Sequence, residues 1–393
     1  MLLIVNSETA DVVVVGAGII GASCAHVLAA AGLRVVVMER GGIAAGASSA
    51  CEGNLLVSDK EPGPELELAL LSARLWLDLR DELGQDALEY EEKGGVVVAR
   101  SEATMAGLAK LTAHQRASNV EAVDVDAAGL RGLEPNLAHN VAGGAWYPQD
   151  AQVQPILATA SLLRSARARG AEVFLGTGVT GFLRGRDGRV TGVRTTSPAL
   201  PNVSAPWVIN ATGTWAGEVA ALADAPLPIL PRRGFLLVTE PLPRAVRHKV
   251  YTAEYVANVA SSDSGMETSV VIEGTRGGTI LIGASRERVG FDRSMSLEVV
   301  RRLAAQSVEL FPFLAGVSLL RTYLGFRPYC PDHLPVIGED LRAPGLIHAC
   351  GHEGAGIGLS AATARLVGQI VQGLPTDVDL APFRPGRFSE AAA

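Results

Sequence analysis

Gly16, Gly18 and Gly21 stand at GxGxxG spacing directly after the apolar run VVVV, and an acid, Glu39, ends the next apolar run, RVVVME. That spacing has a chemical use. The first glycine permits a tight turn, the second lets a pyrophosphate approach the backbone, and the third lets a helix pack closely on a strand. Ile19 and Ile20 open that helix, whose N-terminal N–H groups suit phosphates. The Glu39 carboxylate can accept hydrogen bonds from a ribose diol, and Arg40 follows it. Strand, helix, second strand and terminal acid occur together, so the segment predicts dinucleotide binding in preference to a merely structural glycine turn. This unit alone does not separate a nicotinamide from a flavin dinucleotide.

The elements that must position these residues follow from periodicity. Asp11 to Arg40 reads as a strand, a glycine turn, an Ala-rich helix from about Ile19 to Ala31, a stop at Gly32 and a second strand. Such a β-α-β unit of about thirty residues has the length a parallel crossover needs. A helix follows over Glu65 to Leu83, with Leu66, Leu70, Ala73 and Leu77 at helical spacing, then a strand in GGVVVAR and a helix over Pro155 to Gly170. Short strands come next: EVFLG, a hairpin turning at Arg186 to Arg189, and WVINATG. Pro-rich stretches at Ala225 to Pro231 and Glu240 to Pro243 bracket GFLLVTE and mark a change of domain. Residues 270–284 read as a hairpin, Leu297 to Leu310 as an amphipathic helix, GLIHAC as a strand, and GHEGAGIG as the opening of a helix running to about Gly373.

Composition removes several classes of function. The chain has 393 residues, 48% hydrophobic and 19% charged, the profile of a globular protein; the length predicts about two to three domains. A net charge of -7 gives no electrostatic footprint for nucleic acid or an acidic membrane. Cys24, Cys51, Cys330 and Cys350 form no CxxC pair, which argues against a metal site, an iron–sulfur cluster or a secreted disulfide scaffold. The start, MLLIVNSETAD, lacks a basic leader and a cleavage site and reads as untargeted and cytoplasmic. Ile19 to Met38 is apolar apart from His26 and Arg34, but the glycines before it and the charge near its end favour a buried helix and strand over a membrane span.

Taken in order, the first unit, ERGGIAAGASSACEGNL, VINATGTWAG, GFRPYCPDHLPVIGE and ACGHEGAGIGLSAATARLVGQI resemble the motifs of the D-amino-acid oxidase superfamily of FAD-dependent oxidoreductases, across nearly the whole chain. CEGNLLVSDKEPGPELELALLS together with HEGAGIG is most similar to the β-type flavin subunits of hetero-oligomeric amine and imino-acid dehydrogenases, such as opine oxidase, hydrogen cyanide synthase and D-hydroxyproline or proline dehydrogenase. The resemblance implies FAD, partner subunits that accept its electrons, and room for an FMN at a subunit interface. One branch of the family links its flavin to a cysteine that would align near Gly325; there is no thiol there, and Cys330 lies five residues on, so non-covalent FAD is expected.

The same resemblance assigns roles that each have a physical reading. Ser48, Ser49 and Ala50 follow a glycine-rich bend, where small residues let backbone and hydroxyls reach the pyrophosphate and the flavin ring. Ala211, Thr212 and Gly213 end an apolar strand and would flank the phosphate–ribose portion; Val179 would meet the adenine. Gly351, Glu353, Gly354, Ala355, Gly356 and Ile357 lie at a helix start, whose N–H groups would favour the negative charge of a reduced flavin. His352 and Glu353 are tempting as acid and base, although their family positions act mostly through backbone geometry. Arg327, in GFRP, matches the arginine that grips the substrate carboxylate, for which a planar fork of donors is suited. A structural salt bridge to Asp332 is the competing role, and Tyr251 and Tyr255 are unaligned candidates for a substrate-site tyrosine.

The fold expected is α/β: a Rossmann-like, glutathione-reductase-type FAD domain from residues 9–54, 146–225 and 326–385, and a substrate domain on a mainly antiparallel sheet from 55–145 and 226–325. The expected activity is an amino- or imino-acid dehydrogenase that moves a hydride from the carbon beside the amine to flavin N5. The alternative is an oxygen-using amine oxidase of the glycine or sarcosine oxidase type.

Overall fold

Val12–Val15 and Val35–Met38 are short apolar strands with every residue buried, the pattern of a parallel sheet covered on both faces. The computed structural model describes residues 8–255 and 263–390. The first seven residues of the segment read for targeting therefore lie outside the described residues. Within them, a six-stranded sheet runs Val336–Glu339, Leu346–Cys350, Trp207–Asn210, Val12–Val15, Val35–Met38, Glu172–Phe174. All neighbours are parallel except the first pair.

Side-chain alternation along Val12–Val15 explains how the two faces are covered. Val12 and Val14 join a core with Leu28, Leu162 and Leu366, from the helices Ile19–Ala30, Pro155–Ala168 and Gly356–Gln372. Val13 and Val15 join Phe182, Val193 and Val203. Those three belong to a four-stranded sheet ordered Glu8–Thr9, Asn202–Ser204, Val190–Thr195, Val179–Arg184.

A second large sheet has eight strands, in the order Leu319–Tyr329, Leu230–Thr239, Ile280–Arg286, Glu267–Gly274, Lys249–Thr252, Gly95–Ala99, Gly143–Tyr147, Val123–Asp126. Only the pairing of Lys249–Thr252 with Gly95–Ala99 is parallel. The helix Leu297–Leu310 lays Val299, Leu303 and Leu310 on one face, against Phe235, Leu237, Ile272 and Ile282.

Three elements differ from the expectations. The strand containing GFLLVTE begins earlier, at Leu230, and takes in Pro231, which lies opposite Pro328 of the edge strand. Two prolines facing each other leave no unmatched ladder donor between them, so the end of the first Pro-rich stretch falls inside the sheet while the second lies just beyond the strand. GFRPY proves to be the end of the eleven-residue strand Leu319–Tyr329. The helix Glu102–Ala117 was not anticipated. It buries only Leu108, Thr112 and Gln115, so its apolar period is faint; Ser101 starts it by accepting a hydrogen bond from Thr104 N.

No helix among the described residues is long and apolar enough to cross a membrane, and none of their His, Cys, Asp or Glu groups could hold a metal ion.

Candidate active site

The six-stranded sheet ends its strands at Val15, Met38, Asn210 and Cys350, and a cleft opens there, beyond the carboxyl ends where α/β sheets bind ligands. Gly16 takes φ 108°, and a Cβ on it would lie 2.5 Å from Ala211 O. A Cβ on Gly21 would lie 1.9 Å from Gly16 O. Turn and helix therefore close on each other only because both residues are glycine. Gly18 differs: only Ser48 Oγ, at 3.2 Å, would meet its Cβ, so its open side faces the cleft.

The two long helices that start at this cleft lack a side-chain cap from the preceding residue. Gly18 caps Ile19–Ala30 and Ala355 caps Gly356–Gln372, neither with a side-chain hydrogen bond. Four other helices begin with Ser101, Asp126, Gln154 and Ser296, each accepting a bond from its own first turn, while the long helix Pro64–Leu83 has no side-chain cap but opens on a proline, which has no N–H to satisfy. Ser48 Oγ accepts from Ile19 N at 3.0 Å, so one donor of the first helix is met from another loop. The remaining leading N–H groups are placed to meet an anion.

Glu39 is held rigidly, with Oε2 accepting from Ala17 N at 2.9 Å and Oε1 from Gly41 N at 2.7 Å. Arg40 lies over the Trp215 ring, 4.1 Å from its centroid, and Trp215 stacks on Phe291 at 5.4 Å. The cleft, about 490 Å³, falls in the range of small-molecule and cofactor sites, roughly 300–1,000 Å³. The expected residues that line it are Gly16, Gly18, Ile19, Ile20, Glu39, Arg40, Ser48, Ala50, Val179, Ala211, Thr212, Gly213, Arg327, His352, Glu353, Gly354, Gly356 and Ile357. Gly21, Ser49, Gly351 and Ala355 stand behind it: the Ser49 hydroxyl donates to Gly46 O at 3.3 Å, and Ala355 N donates to His352 O at 2.9 Å.

Arg327 enters from the edge strand of the eight-stranded sheet. Its Nη1 donates to Ser285 O at 2.8 Å, and its guanidinium passes between Gly234 and Gly354, where a Cβ would lie 2.1 Å from Nη1 and 3.6 Å from Nε. It forms no ion pair among the described residues; Asp332, the competing partner, pairs with Arg387 at 2.6 Å. Burial, then the neighbouring Arg286, pull the Arg327 pKa down from its usual value.

The histidine and glutamate of the closing loop are tied into it. Burial pushes the His352 imidazole down to about 3, and its Nε2 lies 2.9 Å from Thr363 Oγ1. Glu353 Oε1 lies 3.0 Å from His333 Nδ1 and accepts from Cys330 N at 3.3 Å, while Oε2 is 3.6 Å from Arg232. Of the two tyrosines, Tyr255 lines the cleft, beneath the Arg286 guanidinium at 4.8 Å. Tyr251 is buried behind it and donates to Ser58 Oγ.

Trp215, Glu52 and Phe326 line the cleft without having been expected there. All three lie inside motif stretches, Trp215 in VINATGTWAG, Glu52 in CEGN and Phe326 in GFRP, so position within a motif was the available signal.

Comparison with known proteins decides the family. Residues 11–370 match the model of the FAD dependent oxidoreductase family. The chain belongs to that family. As a member of the FAD-dependent oxidoreductases it is similar to hydrogen cyanide synthase subunit HcnC of Pseudomonas aeruginosa, 30% identical over 98% of each protein. It is also similar to glycine oxidase of Geobacillus kaustophilus, 30% identical over 95% of this chain and 96% of that protein. The crystal structure of a glycine oxidase from that organism matches with TM-score 0.87 and 28% identity, over 97% of this chain and 99% of the other. The crystal structure of L-proline dehydrogenase from P. horikoshii shares the fold, with TM-score 0.88 at 23% identity, over 98% and 99% of the two chains. The glycine cradle, the two uncapped helix starts and the fixed Glu39 fit the FAD of this family.

Proposed function

We propose that this oxidoreductase is an amino- or imino-acid dehydrogenase and the flavin-bearing subunit of a hetero-oligomeric complex, as the name of its relative HcnC suggests by analogy. The observation that carries the reading is Arg327: a half-buried guanidinium, free of any carboxylate among the described residues, lining the same cleft as the dinucleotide cradle. A planar fork of donors beside a cofactor site suits a substrate carboxylate bound in two contacts.

In this reading Gly16, Gly18 and the starts of the two uncapped helices hold the pyrophosphate and the flavin, Glu39 the ribose, and Val179 the adenine. FAD supplies the two-electron acceptor for the hydride beside the amine. Arg327 fixes the α-carbon in register with that acceptor, so its contribution is one of orientation. His352 and Glu353 hold the closing loop and transfer no proton. Cofactor binding is non-covalent: burial pushes the cleft thiols Cys51 and Cys350 up to about 12, so neither is a ready thiolate. One FAD suffices, and an FMN at a subunit interface forms no part of the reading.

Anaerobic mixing with a panel of amino and imino acids should bleach the flavin absorbance of the purified chain, with slow reoxidation in air. Arg327→Ala should keep its colour and lose at least about 100-fold in the reduction rate, an orientation and binding effect of roughly 3 kcal/mol. Unchanged turnover in that variant would remove the substrate-gripping role. The similarity to glycine oxidase supports a second reading, an oxygen-using amine oxidase; fast peroxide production by the isolated chain would establish it over the dehydrogenase.

A further inference from the structure

Glu52 lines the same cleft as Arg327 and is 7% exposed. Its Oε1 is enclosed and has no hydrogen-bond partner, and the residue enters no ion pair among the described residues. Other buried carboxylates, including Glu273 and Glu134, which each also have one unpartnered oxygen, are matched through at least one oxygen. Glu273 is paired with Lys249, Glu287 with Arg233, and Asp150 accepts from Val57 N and Ser58. A buried acceptor left without a donor costs on the order of 1–3 kcal/mol, and more for a charged group. A site retains such a cost where a ligand brings the missing donor.

The surroundings say which donor would fit. Oε1 is laid against the eight-stranded sheet at Gly283, where a Cβ would lie 2.1 Å from it, so a donor arriving in the cleft would meet the carboxylate at its other oxygen, which has no hydrogen bond or ion pair among the described residues either. The titratable and charged groups whose fields reach Glu52 are Arg327 and Tyr323 from the edge strand, Lys249 and Glu273 from interior strands, and the adjacent Cys51. Lys249 is already taken by Glu273 and by Asn54 Oδ1. Arg327 Nη1 is turned to Ser285 O. The cleft thus presents a cationic fork and an unmatched carboxylate together, which is the complement of a zwitterion.

We propose that Glu52 binds the ammonium group of the amino or imino acid whose carboxylate Arg327 holds, and takes its proton. The inference rests on the amine-oxidising reading above and deepens it. An N–H bond of the ammonium breaks and an O–H bond forms on the Glu52 carboxylate, leaving a neutral amine. The α-C–H bond then breaks, its electron pair leaving as a hydride to oxidised FAD. The nitrogen lone pair forms the C=N bond, so the substrate loses two electrons and FAD gains them. An ammonium has no lone pair with which to do this, so proton removal must come first.

The test uses the full-length, FAD-loaded chain and the variants Glu52→Gln and Glu52→Asp. Binding of cyclopentanecarboxylate, an acid of proline's shape without the nitrogen, is followed by its perturbation of the flavin absorbance. Anaerobic reduction by glycine, sarcosine, D-proline and L-proline is followed across pH. Glu52→Gln should bind cyclopentanecarboxylate as tightly as the parent or tighter. Its reduction by the best substrate should fall by about 100-fold at neutral pH, in the range for a lost general base. The deficit should shrink as pH rises and free amine becomes available from solution, and Glu52→Asp should recover part of the rate. An unchanged rate and pH profile would overturn the proposal. So would a loss of cyclopentanecarboxylate binding that equals the loss of rate at every pH, because a merely structural role predicts that. If Glu52→Gln does not fold, a Glu52→Asp variant with an unaltered pH profile and rate would overturn it as well. A parent protein that none of these amino acids reduces would instead sink the amine-oxidising reading, and this inference with it.

Discussion

The two walls of the cleft are made of different material. On the side of the six-stranded sheet, the groups presented are mostly backbone: a glycine turn, two helix starts without side-chain caps, and a glutamate locked by two amides. On the side of the eight-stranded sheet they are side chains: Arg327 between two glycines, Tyr255 under Arg286, and Glu52 against Gly283. A backbone wall depends on close approach and changes only if a glycine gains a Cβ. A side-chain wall can be exchanged residue by residue without disturbing the sheet beneath it. The first suits a cofactor shared by many enzymes, the second a substrate that varies among them.

The largest effect should come from damaging the backbone wall. Gly21→Ala places a methyl 1.9 Å from Gly16 O, and the turn and helix cannot both stay in place. That variant should purify colourless, read by the absence of flavin absorbance; retention of full FAD content would break the distinction between the walls.

Trp215, like Glu39, is a side chain on that side, and it carries Arg40 on one ring contact and Phe291 on another. Trp215→Ala should loosen the adjoining wall and weaken FAD binding by about ten-fold, from roughly 1–2 kcal/mol of stacking and cation–π interaction. An equilibrium titration of the stripped protein with FAD measures it. A loss as complete as that of Gly21→Ala would show that side chains, not backbone, hold the cofactor.

The smallest effect concerns stability and marks the side-chain wall as the pH-sensitive one. Behind Tyr255, burial raises the Asp150 carboxyl to about 7, against hydrogen bonds from Ser58 and Val57 that pull the other way. Because the folded chain holds this proton more tightly than the unfolded chain, the stabilisation is full below about pH 4 and is lost as pH rises through about 7. Urea unfolding of Asp150→Asn beside the parent should show the variant gaining, relative to the parent, up to about 1 kcal/mol per pH unit near neutrality. A difference independent of pH would sharpen the comparison the other way, by locating the pH-sensitive groups elsewhere.

The glycine spacing, the apolar runs and the terminal acid were enough to place strand, turn, helix and Glu39 around one cleft. Each is a local consequence of residue type over about thirty neighbouring positions. The amphipathic helix Leu297–Leu310 was legible for the same reason, since its buried positions repeat at helical spacing. Glu102–Ala117 was not, because three buried positions leave too little period to read.

The order of strands and the roles of single charged residues belong to the tertiary structure. The sequence puts Arg327 in a GFRP stretch, with Asp332 as its near acid; the fold gives that acid to Arg387, from 55 residues away, and leaves the guanidinium in the cleft. Glu52 and Gly283 are distant in the chain, and only the packing of the Glu52 loop on the eight-stranded sheet lays the carboxylate on that glycine. Local periodicity reports which face of an element is apolar. It cannot report which charge will meet which, because pairing between distant side chains is fixed by packing after the elements have formed.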